Sequence, residues 1–139
     1  MNVMLHPFPV PETAAAFVAK PLQLLIGADW VDARSGKTFD VFDPATGRPI
    51  AKAAEGDAMD IDAAVAAARR AFDSGPWPSM SPLERSKLIY RPGDALEVAA
   101  EEFAALEALD NGKPIRDARA VDVPGPTRCF AICRGGRHG

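Results

Sequence analysis

Two places in this sequence hold residue types whose spacing could do chemistry. The first is the end of the chain, "TRCFAICRGGRHG", which carries both cysteines and one of the two histidines. Thiolates and imidazole nitrogens hold zinc in a tetrahedron of four, and paired thiols can exchange with a disulfide. Cys129-x-x-x-Cys133 with His138 offers three donors at most, on a glycine-rich stretch. That falls short of metal-like spacing, and incidental thiols are the expected reading.

The second is Asp110 in "EEFAALEALDNGKP". It falls in the last turn of a helical pattern, where a negative charge opposes the helix dipole by about 0.3–1 kcal/mol. Lys113, a backbone cap or a bound cation could compensate, and a solvated or capping aspartate is the plain alternative. Other candidates carry less. Trp30 and Trp77 sit beside turns, as core or lid residues do more often than binding faces. Glu101, Glu102 and Glu107 are spaced as a solvated helix face rather than a catalytic pair, and Arg69-Arg70 needs no partner beyond water.

The elements that must position these residues follow from composition and period. Of 139 residues, 47% are hydrophobic and the net charge is −3, which describes a globular chain with no basic footprint for nucleic acid. No apolar run approaches the roughly 18 residues of a membrane span, and no polybasic run favours a membrane surface. Residues 1–22 read as a loose leader, broken by Pro7, Pro9 and Pro11 and without the basic start of a signal peptide. Two cysteines without an export signal suggest free thiols in a reducing cytoplasm.

"LQLLIGADWVDA" reads as a hairpin about Gly27-Ala28-Asp29, and "KTFDVFD" as a strand returning through Asp43-Pro44 and Gly47 to a partner at Pro49–Ala53. From Asp57 the period becomes helical, with Ile61, Val65, Ala68 and Phe72 on one face and Gly75-Pro76 as the stop. Ser81-Pro82-Leu83-Glu84 is a capping box opening a second helix. Its core face should be Leu83, Leu88, Ile89, Leu96 and Phe103, yet Pro92-Gly93 opposes the helix from within. A third helical piece ends at Asn111-Gly112. Antiparallel β-hairpins followed by three or four α-helices are expected, with no self-evident site.

Several stretches resemble the amino-terminal part of the NAD(P)-dependent aldehyde dehydrogenase superfamily: "FDPATGRPI", "IDAAVAAARRAF", Trp77 before "ERSKLIYR", and "LDNGKP", in that order and spacing. The resemblance runs from about Leu25 to Val123. It implies a truncated α/β fold lacking the parallel dinucleotide-binding sheet, with residues 23–123 as the first part of an NAD-binding domain. In the family a cysteine thiolate adds to the aldehyde carbon, hydride passes to the nicotinamide, and a glutamate activates the water that releases the acid. No Gly-rich turn following a strand and no cysteine in the nucleophile context occur in this sequence. The resemblance therefore implies no catalytic or cofactor-binding residue here, and no cofactor for this chain although full-length relatives use NAD(P). It also implies that Asp110, with backbone carbonyls at Val41 and Phe42, helps hold a structural Na⁺ or K⁺.

Beyond "LDNGKP" the resemblance extends to Arg128-Cys129-Phe130 and then stops. One lost base after the phenylalanine codon would convert the family's continuation into Ala131-Ile132-Cys133-Arg134-Gly135-Gly136-Arg137. We therefore expect residues 124–139 to be a non-native tail, read out of frame over its last nine residues. DNA beyond the Phe130 codon with no shifted frame encoding a catalytic domain would end that reading. Two functions compete: an aldehyde dehydrogenase by descent that is silent alone, and a non-catalytic module docking onto a full-length dehydrogenase subunit.

Overall fold

The computed structural model describes residue 6 and residues 8–132. Two antiparallel hairpins come early. β1 (Leu24–Ile26) pairs β2 (Asp29–Val31), and β3 (Thr38–Asp43) pairs β4 (Arg48–Ala54). Six α-helical pieces accompany them: α1 (Glu12–Val18), α2 (Ala58–Ser74), α3 (Pro82–Val98), α4 (Ala100–Asn111), the short turn α5 (Ile115–Asp117) and α6 (Pro124–Ile132). A 3₁₀ turn at Trp77–Ser79 and a π-helical turn at Ala118–Asp122 complete the chain. No parallel sheet occurs among the described residues, where the one parallel contact is a bridge between Leu22 and Ala53.

The helix starts are where local chemistry places them. Asp57 accepts from the amides of Met59 and Asp60 while Asp60 reaches back to the Asp57 amide, and Ser81 and Glu84 exchange the same pair of bonds at α3. Asp60 does more than cap. Its buried carboxylate also accepts from the amide of Arg34, 3.2 Å away, which ties α2 to the segment after β2. Gly112 ends α4 in the left-handed region at φ 75°, and its absent Cβ leaves room for Pro44, whose Cγ would lie 2.7 Å from one.

Two expectations need correction. The stretch read as a loose leader, 1–22, is structured from Glu12 onward: α1 buries Ala14 and Val18, and Leu22 exchanges hydrogen bonds with Lys52 and Ala54. The helix face of "AAAFV" supplies the reason, since burying it offsets the cost of ordering. Pro92-Gly93 does not break α3, which runs unbroken to Val98. Pro92 is exposed, while Gly93 is buried against α6 so closely that a Cβ there would lie 3.0 Å from the Cβ of Phe130. Packing overrides propensity. Pro124-Gly125-Pro126 opens α6, where amides of the first helical turn have no intrahelical partner to lose.

The core is built from small residues. α4 buries Ala104, Ala105, Ala108 and Leu109, with Ala104 packed among Ala118 and Val123 beyond it, and β4 buries Ile50 and Ala51. Several bulky residues expected inside are outside. Leu83 and Phe103 are exposed, as are Trp30 and Trp77, so neither tryptophan is a core residue. The helical period was legible, but it does not say which neighbour will cover a face.

The α3–α6 contact predicts opposite effects at adjacent positions. Pro92→Ala should raise the urea midpoint, with a gain of about 1–3 kcal/mol from the restored helix. Gly93→Leu should lower it by about 1–3 kcal/mol through the clash with Phe130. Equal midpoints for Gly93→Leu and the parent would mean that α6 does not dock there.

Candidate functional site

The two residues singled out as cation ligands are brought to one place. A groove of about 420 Å³ is lined by Val18 and Leu22 from the leader, Val41 and Ile50 from the β3–β4 hairpin, and Leu109 and Asp110 from α4. Val41 sits at an irregularity of the ladder. It faces Ala51, whereas the next residue, Phe42, faces Pro49, so Ile50 is bulged out. Pro49 has no amide hydrogen, which leaves the ladder one donor short beside Val41 and Phe42. Asp110 is exposed at the end of α4 and its carboxylate has no hydrogen bond or ion pair among the described residues. Lys113 does not compensate it. That ammonium lies 3.0 Å from Asp122 and 3.8 Å from Glu107 instead, and the Asp122 carboxylate raises its pKa.

Beside this groove lies a carboxylate that sequence reasoning read only as a turn former. Asp43 is 2% exposed in its side chain, as the last residue of β3. Its oxygens accept from the Thr46 hydroxyl at 2.7 Å and the Ala45 amide at 2.8 Å. His6 Nε2 lies 3.3 Å from Oδ2, with the ring 6% exposed. That is close enough for Coulombic attraction, although neither ring nitrogen is aligned for a hydrogen bond. The His6 ring stands edge-on to Phe8, 4.3 Å away between centroids. Burial alone pushes the Asp43 carboxyl up, but Thr46, Ala45 and His6 together hold it below its ordinary 3.8. The available signal was "FDPATG", where an aspartate precedes proline with a threonine three residues on.

The remaining expected sites divide. Cys129 is an exposed free thiol on α6, while Cys133 and His138 lie outside the described residues. Glu101 is a solvated residue paired with Arg119 at 2.7 Å. Arg69 has partners that were not foreseen, an ion pair with Asp73 and the face of Phe72 at 4.6 Å. Among the described residues no three of His, Cys, Asp and Glu are grouped to hold a metal, and no helix is long and apolar enough to cross a membrane. The groove's lining includes the acidic residues Glu107 and Asp110. It offers no nucleophile.

The buried Asp43 makes a pH-dependent contribution whose sign is fixed. A folded value below the unfolded one stabilises the fold above about pH 4 and is lost as pH falls through the folded value. The unfolding midpoint should therefore drop on acidification in that range, and drop less in Asp43→Asn. Parallel acid profiles for the two proteins would show that Asp43 is not held as described.

Comparison with known proteins agrees with this architecture. The sequence profile of the aldehyde dehydrogenase family matches residues 30–136, past the Leu25–Val123 stretch of the resemblance. The mitochondrial aldehyde dehydrogenase family 2 member B4 of Arabidopsis thaliana is 51% identical over 113 residues, covering 81% of this chain and 21% of that protein. The mitochondrial benzaldehyde dehydrogenase of Antirrhinum majus is 47% identical over 131 residues, covering 88% of this chain and 24% of that one. The NAD⁺ complex of an aldehyde dehydrogenase from Bacillus cereus superposes with a TM-score of 0.86 at 41% identity, over 89% of this chain and 25% of that structure. The chain thus spans about a quarter of the length of the relatives it matches. It belongs to the aldehyde dehydrogenase family.

Proposed function

We infer that this chain is an aldehyde dehydrogenase by descent, carrying the opening segment of an enzyme that oxidises an aldehyde to an acid with NAD(P)⁺, and that it is catalytically silent alone. One observation carries the reading: a family match over most of the chain that takes in only a quarter of each relative. The reaction needs a thiolate to add to the carbonyl carbon, so that the hydride has a tetrahedral centre to leave. Cys129 stands on the outer surface of α6 and no groove carboxylate is placed to act as its base. An exposed free thiol also suits a reducing, cytoplasmic compartment. Purified chain mixed with NAD⁺ and a panel of aldehydes should form no NADH. Turnover above a buffer blank overturns the reading.

Within it, the Val41 carbonyl and the Asp110 carboxylate are part of the shell of a monovalent cation. Both ligands are hard oxygens, and both border the groove beside the donor-poor stretch of ladder. Replacing NaCl with choline chloride at equal ionic strength should lower the unfolding midpoint, and Asp110→Ala should remove the difference. Equal midpoints of the parent in both salts would take the ion out of this reading.

A second reading, a non-catalytic module that docks onto a full-length dehydrogenase subunit, is favoured by bulky apolar side chains turned outward at Leu83, Val98 and Val121. Co-expression with a full-length family member should then yield a mixed complex. Recovery of the two chains only separately would rule it out.

A further inference from the structure

α2 is oriented the unexpected way round. Its half-buried side is made of Ala63, Ala64 and Ala67 with buried Asp60, and this side meets the β1–β2 hairpin, where Gly27 approaches Ala67. The bulky stripe lies roughly a third of a turn away. Ile61, Val65 and Phe72 are 60%, 61% and 67% exposed, and Ala68 between them is exposed too. These four positions follow spacings of four, three and four, so they fall within roughly 60° of arc along about 17 Å of helix. That is the seam of a two-helix coiled coil, with Ala68 small enough to let a second helix approach closely.

The borders of the stripe select the partner. On one side lie the alanines Ala64 and Ala71, and on the other lie Asp62 and Arg69, seven residues apart. Two such helices running antiparallel about a two-fold axis pair Ile61 with Phe72 and Val65 with Ala68. The same arrangement sets Asp62 of each against Arg69 of the other, so both ion pairs form at once. Among the described residues Asp62 has no ion pair, and Arg69 already lies along the stripe, held by Asp73 over the Phe72 ring. A parallel pair would set each charge against alanine.

We propose that the outward stripe of α2 is a self-association surface, joining two copies of this chain through an antiparallel α2–α2 contact centred on Val65 and Ala68. It goes beyond the enzyme reading and does not depend on it. A contact this short falls in the class of weak interfaces, so the dimer forms in a concentration-dependent equilibrium.

Sedimentation equilibrium of the 139-residue chain from low micromolar to near-millimolar concentration tests it. The mass should rise from 14.8 kDa towards twice that value. Asp62→Arg and Arg69→Asp should each weaken self-association roughly tenfold by facing like charges across the axis. Mixing these two variants should restore dimers, because each then meets the opposite charges on the other. Val65→Glu, at an exposed position, should abolish dimers while circular dichroism stays at the parent's helix content. A constant monomer mass for the parent overturns the proposal, as does a mixture no heavier than its parts. A mass that rises only when a full-length aldehyde dehydrogenase is added overturns it too, and assigns the stripe to that subunit.

Discussion

The structure depends on one helix face. α4 puts Ala104, Ala105, Ala108 and Leu109 inward, and the β3–β4 hairpin, α1, α3 and the π-helical turn all gather on that strip. Alanines let these elements come close, but each buries little apolar area, and at about 25 cal/mol per Å² little area means little stabilisation. Among the described residues Leu109 and Asp43 are the largest side chains that are fully enclosed. Stability therefore leans on caps, on the close approach at Gly93 and on polar ties such as Asp60 to Arg34 as much as on a hydrophobic interior.

That construction explains where the large apolar residues went. α2 buries alanines and exposes Ile61, Val65 and Phe72, because the two short strands of the β1–β2 hairpin leave no broad surface for a bulky stripe. In an ordinary monomer, outward phenylalanines and tryptophans in such number mark a surface meant to be covered. The family match over a quarter of each relative shows that related chains have much more polypeptide with which to cover it. The charges beside the α2 stripe complement their own image.

Local signals were the most legible part of the fold. Asp57, Ser81 and Glu84 announced two helix starts by hydrogen-bonding capacity, and Gly112 announced a helix end by its tolerance of positive φ. The family resemblance was likewise legible, because ordered motifs survive without knowledge of their contacts. Pro92-Gly93 misled, since its local cost is visible in the chain while the Phe130 contact that rewards Gly93 is not. The same holds for Asp43, whose turn was foreseen but whose burial against His6, 37 positions earlier, was not.

The amino-acid sequence alone determined the hairpin turns, the capped helices and the family. These depend on short-range chemistry and on which residues exist at all. Tertiary structure alone decided that Val41 and Asp110 border one groove, that α3 passes through Pro92, and that α2 faces its alanines inward. Each of those outcomes is set by distances between segments remote in the chain. Periodicity can say that a helix has an apolar side, but only packing decides which side is covered.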